Sequence, residues 1–186
     1  MGLDMYLYRN ENVYGKGAIE IKEANNLPLK EENPDYEWVQ IRTECAYWRK
    51  ANAIHKWFID NCGGGDANCR TMDVSLEQMR ELLKVCKKVL QSINLVDGKV
   101  ANGYTFRKNS KGELEKVYSF MDGKVVEDAT TCKKLLPTES GFFFGSTDYD
   151  EYYVECLTDT IAQLKAVIKD AEGAKKDVWF EYYASW

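Results

Sequence analysis

The pattern of apolar and polar residues predicts two strands near the start of the chain. Every second residue from Leu3 to Leu7 is apolar, which is typical of a half-buried strand. Residues 9–35 are polar and contain glycine, asparagine and proline, so we expect a long excursion there with a short strand at Ala18–Ile21. Alternation returns over Tyr36–Ile41 and predicts the second strand.

Three later segments have the period of a helix. The first predicted helix covers Thr43–Asn61 and ends where three consecutive glycines follow. The second begins at Ser75, because Gln78 three residues later completes a capping-box pattern before a periodic apolar run. The third extends from Thr147 or Asp148 to residue 172, and we expect Gly173 to end it.

Strand signals return between and after these helices. Val100–Arg107 and Leu114–Met121 flank Asn109–Gly112, which predicts a hairpin. We expect a further turn at Asp122–Gly123, a buried strand at residues 142–144 and a last strand at Val178–Tyr183.

Strands and helices do not alternate regularly, which disfavours a doubly wound parallel sheet. The pattern predicts an α+β fold in which an antiparallel or mixed sheet packs against two to three long helices. The length of 186 residues fits one domain spanning 1–186. The first and last strands either pair with each other or lie at the sheet centre, and their aromatic content is compatible with a homo-oligomer.

Composition limits the classes of partner. The net charge is −5 and the basic residues are dispersed, so we expect no duplex nucleic acid as a partner. No apolar stretch reaches membrane-spanning length and the first residues lack a signal-peptide pattern. The six cysteines form no Cys-x-x-Cys pair. We therefore expect a cytoplasmic protein with reduced thiols and without a membrane partner.

The first candidate site lies within the predicted first helix. Helical spacing would place four polar or aromatic residues on one stripe with two cations on its flank, namely Glu44, Trp48, Asn52 and His55, with Arg49 and Lys56.

These residue types suit an anionic ligand with a flat ring. Trp48 can stack on a ring, and Asn52 can read a base edge with both a donor and an acceptor. Arg49 and Lys56 can bind phosphate, and His55 titrates near neutral pH. The alternative is that the polar residues of this stripe only tie loops to the helix through hydrogen bonds. A lone histidine is more often a structural residue than a catalytic one.

The second candidate is the segment 137–150, which is rich in glycine, phenylalanine and hydroxyl groups. Ser140, Ser146 and Thr147 lie near the start of the predicted third helix, where backbone N–H groups can hold an anion. One of Tyr149, Tyr152 and Tyr153 could stack on a ring together with Trp48. Two aspartates at the same helix start oppose an anion, no Walker-type Gly-Lys-Ser/Thr is present, and an ordinary capped helix is the alternative.

Catalysis and metal binding have weaker support in the sequence. His55, Cys62 and Cys69 are acceptable zinc ligands, but their spacing matches no zinc pattern. No Gly-x-Ser-x-Gly elbow accompanies the single histidine. We therefore assign no catalytic residue, no metal and no cofactor.

Three segments resemble an uncharacterised family of small phage and prophage proteins. They are Gly2–Leu7 (GLDMYL), Tyr47–Phe58 (YWRKANAIHKWF) and Ser140–Tyr153 (SGFFFGSTDYDEYY). The resemblance carries no catalytic residues, but it implies a protein made in the host bacterial cytoplasm during phage infection. Small phage proteins include sponges that sequester the nucleotide signals of bacterial immunity, and this context is an analogy rather than a motif.

The leading hypothesis is a non-enzymatic binding protein that sequesters a small anionic ligand, a nucleotide immune signal, between the first helix and Gly141–Tyr153. The second hypothesis is a protein–protein inhibitor or adaptor that acts on a host protein. The third is a nucleotide-processing enzyme with His55 and Glu44 as acid and base.

Overall fold

The computed structural model describes residues 2–29, 34–65, 69–141, 143–174 and 178–186. For residues 34 and 116 it describes the backbone only. The described strands are β1 (Asp4–Tyr14), β2 (Trp38–Arg49), β3 (Met72–Val74), β4 (Leu95–Lys108), β5 (Leu114–Val126) and β6 (Val178–Ser185). The described helices are α1 (Lys16–Ala24), α2 (Asn52–Asn61), α3 (Leu76–Gln91), α4 (Thr130–Leu135) and α5 (Glu151–Gly173), with a short 3₁₀ turn at Pro34–Tyr36.

The fold is α+β, as the sequence predicts. Four strands form an antiparallel sheet in the order β2-β1-β6-β3, and β4 and β5 form a separate two-stranded hairpin. The first and last strands pair with each other and also occupy the sheet centre, so both arrangements left open by the sequence hold. No helix within the described ranges has the length and apolar character needed to cross a membrane.

One face of the four-stranded sheet forms the core. Met5 and Leu7 of β1 and Tyr182 of β6 are completely buried, because alternation along each strand directs them to the same face. Leu82 of α3 and Leu164 of α5 are also fully buried in this cluster. The predicted capping box at the start of α3 is confirmed, since the Ser75 hydroxyl accepts from the Gln78 N–H at 3.1 Å and the Gln78 side chain accepts from the Ser75 N–H at 2.8 Å.

The predicted helix over Thr43–Asn61 is wrong in its first half. Strand β2 continues to Arg49, and α2 begins only at Asn52. Pairing with β1 along its entire length overrides the local helical pattern. Lys50 ends the strand with a φ of 55°, a left-handed conformation that helices exclude, and its N–H donates to the Leu3 carbonyl at 2.7 Å.

Other boundaries also differ from the sequence prediction. Strand β1 reaches Tyr14, and α1 replaces the short strand predicted at Ala18–Ile21, since Gly15 turns the chain with a φ of 60°. Helix α5 begins later than predicted, at Glu151, because the Asp150 side chain caps it. In the predicted strand 142–144, residue 142 lies outside the described residues, and the next two form a turn and a bend.

The predicted hairpin is confirmed, and its strands are longer than the sequence predicts. Strands β4 and β5 pair from Leu95–Val126 to Lys108–Leu114 around the turn at Asn109–Gly112. The turn predicted at Asp122–Gly123 is absent, since both residues lie within β5 opposite Lys99 and Gly98. The strands continue through this point because Gly98 and Gly123 face each other and the Lys99 ammonium pairs with the Asp122 carboxylate at 2.6 Å.

Candidate functional site

Asn52, the first residue of α2, fastens the loop between α4 and α5. Its side-chain Nδ2 donates to the carbonyls of Phe144 at 3.1 Å and Ser146 at 2.7 Å. Its Oδ1 accepts from the Glu139 N–H at 3.2 Å. Asn52 is buried, and these bonds use both amide protons and the oxygen, so the side chain positions the loop.

These bonds orient the peptide groups of the loop. In a trans peptide the N–H points away from the carbonyl of the preceding residue. Because Asn52 holds the carbonyls of Phe144 and Ser146, the N–H groups of Gly145 and Thr147 point away from Asn52. No described residue accepts a hydrogen bond from the N–H of Gly145, Ser146 or Thr147.

The segments 47–58 and 137–150 therefore meet in space. Besides the Asn52 bonds, the His55 ring contacts the Phe144 ring edge-on with centroids 5.2 Å apart. The space left between Asn52, Ser146 and Tyr152 is about 20 Å³, which is room for no more than one water molecule. A ligand of nucleotide size needs a different opening.

A larger cleft lies on another side of the same loop, against the β4–β5 hairpin. Its volume is about 470 Å³, within the range of small-molecule sites. One wall carries aromatic rings of the hairpin, and the other carries the glycines and hydroxyl residues of the loop. The lining consists of Lys50, Ala101, Gly103, Tyr104, Tyr118, Phe120, Ser140, Gly141, Phe143, Gly145, Ser146, Thr147 and Asp148.

Three predicted binding residues line this cleft, namely Ser140, Ser146 and Thr147. Tyr149 and Tyr153 of the same segment do not line it. The Tyr149 hydroxyl accepts from the Thr138 N–H at 3.3 Å, and the Tyr153 hydroxyl donates to the Leu136 carbonyl at 2.9 Å. Burial raises the pKa of Tyr153. Both tyrosines thus serve the packing between the loop and α5.

Lys50 was not among the predicted site residues. It is exposed, it lines the cleft, and its stem lies beneath Gly145, where a Cβ would come within 3.3 Å of the lysine Cβ. Lys50 has no ion pair with any described residue. No local sequence signal identifies it, because its position depends on where β2 ends.

Trp48 and Glu44 lie on β2 and are separated from the cleft. Trp48 is buried in the core, where its indole Nε1 donates to the Thr160 hydroxyl at 2.9 Å and its ring packs near Phe58. Glu44 is exposed and faces Tyr8 across the strands. The predicted stripe of Glu44, Trp48, Asn52 and His55 on one helix does not exist, because the first two residues are in a strand.

The two predicted phosphate-binding cations are engaged elsewhere. The Arg49 guanidinium lies 3.6 Å from the Asp4 carboxylate and lines a separate cavity of about 220 Å³ that also contains Glu155 and Asp159. The Lys56 ammonium forms ion pairs with Asp60 at 3.0 Å and Glu139 at 3.2 Å. Hydrogen bonds to these carboxylates raise the pKa of Lys56.

His55 is a core residue. It is 1% exposed, its Nδ1 lies 2.8 Å from the Tyr182 hydroxyl, and Trp186 approaches it edge-on. Burial lowers its pKa to about 4, so the imidazole is neutral at physiological pH. Its Nε2 has no hydrogen-bond partner among the described residues. A histidine shut away from solvent in this manner is poorly suited to exchange protons with a substrate.

Metal binding gains no support from the geometry. Within the described ranges, no group of three or more His, Cys, Asp or Glu side chains could hold a metal ion. Cys62 and Cys69 are free thiols, and burial raises the pKa of Cys62 to about 11. A thiol with such a pKa is protonated at neutral pH and is a weak ligand.

Comparisons with protein-family models, with curated proteins and with solved structures found no match. The function proposed below is supported by the geometry of the cleft and by the chemistry of its lining.

Proposed function

We propose that the protein binds a small anionic ligand with a flat ring, a nucleotide, in the cleft between the hairpin and the 140–148 loop. The observation that carries this proposal is the loop held by Asn52, whose N–H groups at Gly145 and Thr147 have no partner among the described residues. Backbone N–H groups that converge on one side of a loop form an anion-binding concavity.

The remaining lining complements the other parts of a nucleotide. Lys50 lines the cleft with its aliphatic stem along Gly145 and supplies a positive charge, and the rings of Tyr118 and Phe120 offer stacking surfaces on the opposite wall. Asp148 also lines the cleft, and its carboxylate would repel a phosphate placed beside it. The same carboxylate can accept hydrogen bonds from the ribose hydroxyls or from the amino group of a base.

The lining favours binding over chemistry. Among the described residues that form the cleft there is one carboxylate and no imidazole or thiol. General acid–base catalysis commonly uses such groups in positioned pairs. In the phage setting implied by the resemblance, the protein would sequester a nucleotide signal of bacterial immunity.

The direct test is calorimetric titration with a panel of nucleotides, together with native mass spectrometry of protein purified from its bacterial host. Lys50→Gln should weaken binding about 10- to 100-fold, because it removes one charge-assisted contact. Lys165→Gln is the matched control, since it removes the same charge from an exposed site on α5. Arg49→Ala alters the cavity near Asp4 and not the cleft, so it should leave the affinity for the nucleotide unchanged.

Two results would overturn this proposal. One is a panel in which no nucleotide binds at millimolar concentration. The other is binding that is insensitive to Lys50→Gln and is lost in Arg49→Ala, which would place the ligand in the other cavity. A chemically altered nucleotide recovered after incubation would indicate an enzyme instead.

A second candidate function is an adaptor that binds a host protein through the sheet face opposite the core. Tyr47 and Tyr183 flank Tyr6 on this face, with ring centroids 5.3 and 6.3 Å from the Tyr6 ring. Tyr8 stacks at 5.9 Å, and Arg42 lies over its ring. Tyrosine and arginine are enriched at protein interfaces. A stoichiometric host protein captured by the wild type and by Phe120→Ser, but lost in Tyr183→Ser, would favour this function.

A further inference from the structure

The aromatic wall of the cleft continues along the hairpin beyond the cleft itself. Directly paired residues of antiparallel strands share a face, so the pairs Ala101–Phe120 and Tyr104–Tyr118 lie on the same side as Phe106, two residues further along β4. Phe106 does not line the cleft. It is 58% exposed and Phe120 is 62% exposed, so their rings present open surfaces.

The spacing of these rings would allow different flat groups of one ligand to stack on different rings. Successive residues on one face of a strand are about 7 Å apart. Tyr104 contacts Tyr118 with centroids 5.8 Å apart and Phe106 at 5.5 Å, and both pairs are strongly inclined. The inclined packing fixes the rings against one another, and the side chains of Tyr118 and Phe106 remain 50% and 58% exposed. A ligand with several flat groups in a row can therefore stack on them one after another.

The charge of the hairpin differs from that of the chain as a whole. The segment Leu95–Val126 contains six basic and four acidic residues, whereas the full chain has a net charge of −5. At the end of the hairpin away from its turn, Lys124 pairs with Asp97 and Lys99 pairs with Asp122. Lys108 shares the face of Phe106 and, like Lys50 in the cleft, has no ion pair among the described residues.

The row of rings therefore has a lysine toward each end, because Lys50 lines the cleft and Lys108 shares the face of Phe106 next to the turn of the hairpin. An apolar peptide would cover the rings but would offer no charge to either lysine. A chain that alternates flat bases with phosphates complements both features. This complementarity favours a nucleic-acid fragment over a protein segment as the occupant of the aromatic face.

We propose that the ligand is a short oligonucleotide of at least two linked nucleotides rather than a mononucleotide. One base stacks in the cleft between the loop and Tyr118, and the next stacks on Phe106. One phosphate lies near Lys50 and a later one near Lys108. This inference rests on the proposed function and names the ligand class of the same site.

The test is a length series. Mono-, di- and trinucleotides of the same base, in ribose and deoxyribose forms, are titrated by calorimetry into the wild type and into Phe106→Ser. Affinity should rise about tenfold or more for the second base, as expected for one stacked base. Phe106→Ser should abolish this gain, so that the variant binds the mononucleotide and the dinucleotide with equal affinity. Tyr36→Ser is the matched control, because Tyr36 is 74% exposed in the turn before β2.

The outcomes separate the inference from the function on which it rests. If a mononucleotide binds and neither length nor Phe106→Ser changes the affinity, the oligonucleotide inference is wrong while the proposed function stands. If no nucleotide of any length binds, both are wrong. If Tyr36→Ser removes the gain as completely as Phe106→Ser does, stacking on the hairpin is not its cause. A host protein bound through Phe106, with no oligonucleotide binding, would assign this face to a protein partner.

Discussion

The buried imidazole of His55 should make the stability of the protein depend on pH. Burial lowers the pKa of this ring to about 4, compared with about 6.5 for histidine in an unfolded chain. Between these values the unfolded state binds a proton that the folded state does not. The free energy of unfolding is therefore highest above the unfolded pKa and falls as the pH decreases toward the folded pKa.

The two pKa values determine the size of the effect. At about pH 5 the unfolded imidazole is almost fully protonated, whereas about a tenth of the folded imidazole is. The resulting loss of unfolding free energy is about 2 kcal/mol relative to about pH 7.5, and it reaches about 3 kcal/mol near pH 4. A loss of this size is a large fraction of the total stability of an ordinary domain.

Urea unfolding of the wild type and of His55→Gln at about pH 7.5, 6 and 5 measures this loss. Glutamine still offers an acceptor to the Tyr182 hydroxyl, which lies 2.8 Å from the histidine Nδ1. Carboxyl groups titrate in both proteins, so their contribution cancels in the difference between the two curves. We expect the wild type to lose about 2 kcal/mol more than the variant between the extremes.

The chain contains a single histidine, so one imidazole NMR signal reports its folded-state pKa directly. A measured pKa at or above about 6 would refute the reasoning, because unperturbed histidine titrates near that value. Stability curves for the two proteins that remain parallel down to about pH 5 would refute it independently.

Two further predictions concern buried polar contacts. Lys22 and Glu37 form an ion pair in which both side chains are buried, so Lys22→Met should cost about 3–5 kcal/mol, and the double variant with Glu37→Leu should recover most of it. Urea unfolding checks this, and a cost for the single variant below about 1 kcal/mol would contradict it. Thr160→Val leaves the Trp48 indole N–H without its acceptor and should cost about 1–3 kcal/mol, whereas Thr160→Ser keeps the hydroxyl and should lose less. Equal losses for the two Thr160 variants, measured by circular dichroism, would argue against the hydrogen bond.

The elements predicted best from sequence are those whose signals are local. The capping residues of α3 and the turn of the β4–β5 hairpin are encoded within a few neighbouring positions, and both occur as predicted. The segment 43–61 was predicted less well because its periodic aromatic and apolar residues suit either a helix or a strand. The choice depends on β1, which is distant in sequence and pairs with β2 along its length.

The candidate site could be predicted only in part for the same reason. Ser140, Ser146 and Thr147 were identified by a local loop pattern, and they line the cleft. Tyr104 and Phe106, and likewise Tyr118 and Phe120, stand two residues apart with one polar residue between them, which predicts strands but does not identify a cleft. Their contribution to a cleft depends on how the hairpin lies against a distant loop, which no local pattern specifies.

The pairing of β1 with β6 has a consequence for how the protein acquires its structure. These neighbouring strands are separated by nearly the whole described sequence, so their contact closes a very long loop and raises the contact order. During synthesis, β1 leaves the ribosome long before β6 exists to cover its free edge. The four-stranded sheet can therefore be completed only after β6 has been synthesised, and until then the edge of β1 that pairs with β6 has no partner strand.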